Sequence, residues 1–340
     1  MVKQIFFLLF CFIALQAKAQ YKNLVFEGGG TRGIAFAGAA QVLEQKGILQ
    51  NIEKIGGTSA GSIIGLMLSL GYSAAEIYDI MVNLKIQHFN DGKGGIFGKY
   101  KRAKNKFGIH KGDAFAVWLD SLVMQKTGNP LCTFYQLDSL RKDNKNFKDF
   151  YCTGTNLSMQ RAEIFSFATT PQMPLKTAVR ISSSIPFFYE PVLLDSAGKQ
   201  ALKPVAGYNY QVYVDGGVTQ NYPINIFDSC KYGGVPLFCD SIIHNKQTLG
   251  FKLDRNEQVE YFSGSSGIAP YNIKNFKDYA GSFVNYIMES MNRKPDLENE
   301  KGRTVYIGYG NVLAQPRKMS LKEKKKLFES GKNATLNFLH

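Results

Sequence analysis

Apolar and polar positions along this chain mark out strand, turn and helix in regular succession. Lys22 to Glu27 is a short apolar run suited to a strand, and Gly28 to Gly33 is a glycine-rich turn. Ile34 to Lys46 has an alanine-rich helical pattern that Gly47 stops as a C-cap. Ile52 to Ile55 reads as a second strand, then comes a tight turn, then an apolar helix from Ala60 to Leu70 closed by Gly71. Ser73 to Glu76 is a capping box that opens a further helix. Strand, turn and helix twice over predict a parallel sheet wrapped by helices.

Further along, Phe150–Asn156 and Ala162–Phe167 read as a strand pair and Leu175–Ser183 as a helix stopped by Ile185-Pro186. Tyr210–Val214 is a strand that runs into Asp215-Gly216-Gly217, and Leu249–Leu253 is another strand. Ser320 to Glu323 caps a final amphipathic helix. Gln87 to Gly112 is polar, rich in Gly and Lys and without clear period, which predicts a long functional or mobile loop. No linker divides the chain, so one domain is expected over 20–340. The N-terminus differs. Lys3 precedes an apolar run from Ile5 to Leu15, and Ala17-Lys18-Ala19 has the small-x-small form of a cleavage site, so a secretory leader over 1–19 and export are expected.

Composition narrows the partners. The chain has 340 residues, 44% hydrophobic and 20% charged, with a formal charge of +14. Removing the leader takes away Lys3 and Lys18 and no acid, so the remainder stays strongly basic. That favours anionic partners. The basic residues are dispersed except in 99–106 and 322–326, neither interleaved with aromatics as in single-strand binders, so phospholipid headgroups are expected rather than nucleic acid. Ile96, Phe97, Tyr100 and Phe107 lie in or beside the first basic stretch and would dip into a lipid interface while the lysines meet phosphates, the alternative being a solvated, mobile connection. Four cysteines follow the leader. Cys230 and Cys239 flank a Gly-Gly-Val-Pro loop that allows them to pair, and Cys152 sits in a strand as a buried free thiol. There is no Cys-x-x-Cys and the four histidines are scattered, so neither a metal nor a cofactor is expected.

Gly57-Thr58-Ser59-Ala60-Gly61 fits Gly-x-Ser-x-Gly. A strand that turns abruptly into a helix exposes one strained residue at its tip, and residues two before and two after must be small. Ser59 is the candidate nucleophile. Gly28, Gly29 and Gly30 follow a neighbouring strand and open a helix, so their amides suit an oxyanion. Gly28, Gly30 and Gly33 also satisfy Gly-x-Gly-x-x-Gly, with Glu53 about 20 residues on as a ribose-binding acid. That rival, a dinucleotide-binding unit, leaves the Ser59 turn unexplained. The base is open between Asp215, which ends a strand, and a Ser59–Asp215–His244 triad in the chain order of α/β-hydrolases. A binding module with vestigial sites is a third reading, against which the intact Ser59 and Asp215 argue.

Together, Gly28-Gly-Gly-Thr-Arg32-Gly33, Gly57 to Gly61 and Asp215-Gly216-Gly217 resemble the motifs of patatin-like phospholipases, and Arg180-Ile-Ser-Ser-Ser-Ile-Pro-Phe-Phe188 is similar to the stretch that family has between nucleophile and aspartate. The resemblance covers roughly 22–223. It implies an α/β fold with three α/β/α layers and a mostly parallel central sheet. It implies a lipid acyl hydrolase with Ser59 as nucleophile, Asp215 as base, no histidine and no calcium. Gly28, Gly29 and Gly30 would supply oxyanion amides, with Arg32 beside them, and Gly33, Gly57, Gly61, Gly216 and Gly217 would support the turns.

Overall fold

All four residues of the first strand, β1 (Asn23–Phe26), are buried, which requires cover on both faces. Leu24 and Phe26 enter the main core on one side, and Val25 packs on Tyr222, Ile224 and Ile226 on the other. The computed structural model describes residues 21–201, 207–231, 233–234, 241–261, 269–270, 272–275, 279, 282, 286, 300–310, 312 and 317–340. The expected leader and Cys239, hence the Cys230–Cys239 pairing, lie outside them.

Among the described residues the other strands in chain order are β2 (Lys54–Gly57), β3 (Gly108–His110), β4 (Asp149–Asn156), β5 (Arg161–Phe165), β6 (Phe187–Tyr189), β7 (Val192–Leu194), β8 (Gln211–Asp215), β9 (Ser229–Cys230), β10 (Ile242–Ile243), β11 (Thr248–Asp254) and β12 (Thr304–Gly308). The main sheet has the order β12-β11-β1-β2-β4-β8-β7, with β5 also on β4. From β12 to β4 every pairing is parallel. β8 and β5 lie antiparallel on β4, and β7 antiparallel on β8. This is the mostly parallel sheet of the α/β/α class expected from the sequence. β3 and β6 form a separate parallel ribbon, and β9 and β10 a short antiparallel pair.

Among the described residues the helices are α1 (Ile34–Gln45), α2 (Ala60–Ser69), α3 (Ala74–Asn83), α4 (Gly95–Lys106), α5 (Asp113–Thr127), α6 (Phe134–Asp143), α7 (Leu175–Ser182), α8 (Asn256–Tyr261) and α9 (Leu321–Leu339). Both expected capping boxes are present. Ser73 accepts from the Glu76 amide and Ser320 from that of Glu323, and each glutamate reaches back to its cap residue. β2 starts two residues later than the sequence suggested, because Leu49–Asn51 form a 3-10 turn from which Ile52 leaves as a buried plug. Cys152 is a buried free thiol in β4, as expected.

The unpatterned loop expected over 87–112 requires correction. It contains a 3-10 turn (Ile86–Phe89), the helix α4 and the strand β3. α4 has no buried residue, so no core-facing period marks it, and Gly95 and Gly98 within it, with Gly92 and Gly94 just before it, mask it further. Arg102 donates to the Lys93 carbonyl at 2.7 Å and to the Ile109 carbonyl at 3.0 Å.

α1 and α9 cross at glycines. A Cβ on Gly38 would overlap the Phe328 carbonyl, and one on Gly331 the Ala35 carbonyl. The obstacles are backbone, which cannot swing aside. Gly38→Val and Gly331→Val are therefore expected to destabilise by about 3 kcal/mol or more, while Gly302→Ala, with open space around it, changes stability by less than about 0.5 kcal/mol. Urea denaturation of the three variants checks this.

Candidate active site

β2 ends at Gly57 and α2 begins at Ala60, so only Thr58 and Ser59 make the reversal. Ser59 takes φ 50° and ψ −121°, a left-handed conformation that costs a non-glycine residue about 1–3 kcal/mol. A Cβ on Gly57 would lie 2.5 Å from the Gly61 carbonyl carbon, and one on Gly61 would overlap the Phe26 carbonyl. The two glycines of the motif are thus required by contact with each other and with β1. Thr58 anchors the turn from below, donating to the Gln220 carbonyl at 2.9 Å and sharing a 2.6 Å hydrogen bond with Thr153.

Asp215 reaches Ser59 by way of β4. β5 occupies one edge of β4 over Cys152–Asn156. On the other edge β2 runs parallel until Gly57 stands opposite Cys152, and β8 arrives antiparallel, ending with Asp215 opposite Gly154. The carboxyl ends of β2 and β8 therefore face each other. Ser59 Oγ donates to Asp215 Oδ2 at 2.8 Å, with both residues buried. Asp215 Oδ1 accepts from the Gly217 amide at 2.7 Å. Burial pushes the Asp215 carboxyl up to about 7, against the smaller opposing pull of the Gly217 amide and then of the Ser59 hydroxyl. Gly216 is needed because a Cβ there would meet the Thr153 backbone, and Gly217 because one would press on Asn221.

The segment after α7 fixes both groups, a role not read from the sequence. The Ser59 amide donates to Ser182 Oγ at 2.9 Å, and the Asp215 amide donates to the Ser184 carbonyl at 2.9 Å. Thr155 Oγ1 donates to the Asp215 carbonyl at 2.8 Å. Buried Arg180 donates to the Lys111, Gly112 and Glu190 carbonyls at 2.8, 3.3 and 3.0 Å and to Ser184 Oγ. Three successive serines just before Ile185-Pro186 were the visible signal, since hydroxyls at a helix end serve as partners for nearby backbone.

The first glycine turn lies beside Ser59. A Cβ on Gly28 would be 3.3 Å from the Ser59 Cβ, and one on Gly33 would be 2.9 Å from the Ala60 Cβ. The amino ends of α1 and α2 thus lie side by side, both favouring negative charge. The expectation that all three glycine amides face an oxyanion is corrected at Gly28, whose N–H donates to the Asn221 carbonyl at 3.0 Å. Among the described residues the amides of Gly29 and Gly30 have no acceptor in the protein, and Gly30 has φ +56°. Arg32 leaves the turn. Its Nε donates to the Val312 carbonyl at 2.7 Å and its guanidinium stacks 3.5 Å from the Tyr309 ring centre, so it binds the C-terminal segment to the site.

Two rival assignments are separated from Ser59 by the sheet. His244 lies just before β11 begins at Thr248, at the amino end of the parallel strands, whereas Ser59 follows the carboxyl end of β2. His244 contacts Asp228 at 3.2 Å, and Asp228 is held by both Arg303 terminal nitrogens at 2.6 Å. Glu53 also lies at the amino end, immediately before β2, and pairs with Lys22 at 2.6 Å. A ribose-binding acid belongs at the carboxyl end, so the dinucleotide reading is set aside. Among the described residues no cluster of three or more His, Cys, Asp or Glu is arranged to hold a metal.

Comparisons with known proteins identify the family and the fold. The family model of patatin-like phospholipases matches residues 24–228, which include both glycine turns and Asp215. The chain is 36% identical over 213 residues to the uncharacterized protein R571 of Acanthamoeba polyphaga mimivirus, covering 62% of this chain and 63% of that protein. It is 26% identical over 324 residues to the uncharacterized protein YqhO of Bacillus subtilis, covering 94% and 98%. To a probable lipid hydrolase, 463L, of Invertebrate iridescent virus 6 it is 27% identical over 212 residues, covering 61% and 63%. The match thus spans less than two thirds of the two viral proteins. The fold is similar to that of VipD from Legionella pneumophila, with a TM-score of 0.64 at 17% identity over 94% of this chain and 67% of that one. With a family model spanning more than half its length and both motif turns in place, the chain belongs to the patatin-like phospholipase family.

Proposed function

We propose that the chain is a lipid acyl hydrolase that cleaves fatty-acyl esters of phospholipids or lysophospholipids through Ser59 and Asp215, without histidine. The observation that carries this reading is the 2.8 Å hydrogen bond from Ser59 Oγ to Asp215 Oδ2 at a strained strand-to-helix turn. Ser59 Oγ attacks the ester carbonyl as its proton passes to Asp215 Oδ2. The amides of Gly29 and Gly30 and the amino ends of α1 and α2 hold the oxyanion. Collapse expels the alcohol, which takes the proton back from Asp215. Water then adds to the acyl-enzyme by the same route in reverse, with Asp215 as base, and releases the fatty acid. An ordinary aspartate near pKa 3.9 is a weak base at neutrality; one raised to about 7 is matched to the task. The chain's net charge of +14 suits an anionic phospholipid surface as the place where substrate is met. Export by the leader over 1–19 is part of the proposal and is checked by N-terminal sequencing of the secreted protein.

Ser59→Ala is expected to abolish hydrolysis of p-nitrophenyl acyl esters with the fold intact. His244→Ala is expected to stay within about twofold of wild type, since removing a general base costs about 10²–10⁴-fold and His244 lies at the other end of the sheet. Activity is also expected to survive EDTA. A Ser59→Ala variant that still turns over, or a His244→Ala variant that loses a hundredfold, contradicts the assignment.

Asp215→Asn is expected to lose about 10²–10⁴-fold in activity while keeping or gaining stability. The folded carboxyl titrates near 7 against about 3.9 unfolded. Its stabilising contribution is therefore complete below pH 4 and is lost as pH rises through 7. Above that the buried carboxylate opposes folding, and the neutral amide removes the opposition. Thermal melts are expected to place Asp215→Asn at or above wild type at pH 8, with the difference shrinking toward pH 5. A large drop in Tm at pH 8 would show a structural rather than a catalytic carboxylate.

A further inference from the structure

We propose that α4, with Phe107 and Phe187, is the face that docks on an anionic phospholipid surface and holds the Ser59–Asp215 site against it. This rests on the lipid hydrolase reading and specifies where and how the lipid phase is met.

Five large apolar side chains are presented together to solvent. Ile96 is 85% exposed, Phe97 88%, Tyr100 68%, Phe107 61% and Phe187 81%. β3 pairs with β6 so that Gly108 stands opposite Phe187, which puts Phe107 and Phe187 at the same end of one ribbon, directly after α4. Phe107 and Phe187 have φ 63° and 65°. Bulky residues rarely accept that conformation, and strain of this kind collects at functional sites.

The helix around these residues is amphipathic in an unusual sense, because its apolar stripe faces outward. At 3.6 residues per turn Ile96, Tyr100 and Phe97 share one side, with Lys104 on it between Tyr100 and Phe97, Lys101 on one flank and Lys99 on the other. Arg102, on the opposite side, ties α4 to the Lys93 carbonyl just before it and to the Ile109 carbonyl in β3. Lys99, Lys101 and Lys104 are exposed and, among the described residues, make no ion pair; Lys106 approaches Glu190 at 3.6 Å. Apolar side chains bordered by lysines match the acyl and phosphate levels of an anionic bilayer. A second copy of this chain is a poorer occupant, since pairing two such faces brings like charges together.

The face is built into the frame of the dyad. Arg180 links the Lys111 and Gly112 carbonyls beyond β3, the Glu190 carbonyl beyond β6, and Ser184 Oγ. The Ser184 carbonyl holds the Asp215 amide, and Ser182 Oγ holds that of Ser59. Phe187 follows Ser184 by three residues. Docking through α4 and Phe187 therefore sets the orientation of the reacting groups toward the membrane.

The full chain is tested by co-sedimentation with vesicles of phosphatidylcholine alone or mixed with phosphatidylglycerol, alongside hydrolysis of soluble p-nitrophenyl butyrate. Wild type is expected to bind the anionic vesicles at least tenfold more tightly, and less tightly as salt rises. Phe97→Ser with Phe187→Ser is expected to weaken binding at least tenfold. Lys99→Gln, Lys101→Gln and Lys104→Gln together are expected to do the same, since each lysine near the surface contributes about fivefold. Both variants should keep soluble-ester hydrolysis within about twofold. Equal partitioning to the two vesicle types overturns the proposal, as does wild-type binding by either variant. A dimer in sedimentation that the phenylalanine variant dissolves, with vesicle binding unchanged, assigns the face to self-association and overturns it too. The Ser59→Ala protein separates the two readings. It should bind vesicles as wild type does while hydrolysing nothing, and retained hydrolysis would sink the enzyme assignment without touching the docking result.

Discussion

A strand has two edges, and β4 shares one of its edges between β2 and β8. β5 takes the other, so β2 and β8 can meet β4 only in succession, and because they run in opposite directions their carboxyl ends come face to face. The pairings Gly57–Cys152 and Gly154–Asp215 stand two positions apart on β4, roughly 7 Å at the usual rise. Ser59 and Asp215 occupy that gap. The glycines follow from the same crowding. Gly57 and Gly61 allow the chain to reverse there, Gly154 leaves room for Phe165 and Ile181, and Gly216 lets β8 turn away over Thr153. The carboxyl strand ends, with helix amino ends beside them, bring the Ser59 hydroxyl, the Asp215 carboxyl and the amides of Gly29 and Gly30 to one spot.

Burial then determines the chemistry. Asp215 is shut away from water with no cation among the forces on it; its compensation is one amide and one hydroxyl. That is too little to keep it strongly acidic and enough to keep it in place. In the proposed mechanism such a carboxylate accepts a proton near neutrality, and a histidine is not needed between it and the serine. Ser182, Ser184 and Thr155 act on the backbone of the pair rather than on its reacting atoms, and Arg180 ties Ser184 to the segments that follow β3 and β6.

The parts of the fold legible in the sequence were those with one buried face or a distinctive turn. β1, α1, α2, the β4–β5 pair and the capping boxes at Ser73 and Ser320 lie where apolar period and cap chemistry placed them. α4 was not legible, because its apolar residues face outward and its glycines deny it helical propensity. The motif residues Ser59 and Asp215 stood out by type and spacing, but their contact did not. It depends on two strands sharing an edge of β4, a non-local fact. His244 and Glu53 fitted chain order and spacing equally well, and only the direction of the parallel strands removes them from the site. The occupied amide of Gly28 was likewise invisible, since it depends on the Asn221 carbonyl, far along the chain.

The central claim is that a buried aspartate, and no histidine, takes the proton from Ser59. It is tested most directly by the pH dependence of inactivation by a fluorophosphonate, which reports attack by Ser59 alone. The account predicts an inactivation rate that climbs tenfold per pH unit, levels off near pH 7 and keeps the same profile in His244→Ala, with the labelled peptide containing Ser59. A rate that is flat from pH 5 to 9, or a limb that vanishes with His244 and persists in Asp215→Asn, would contradict it.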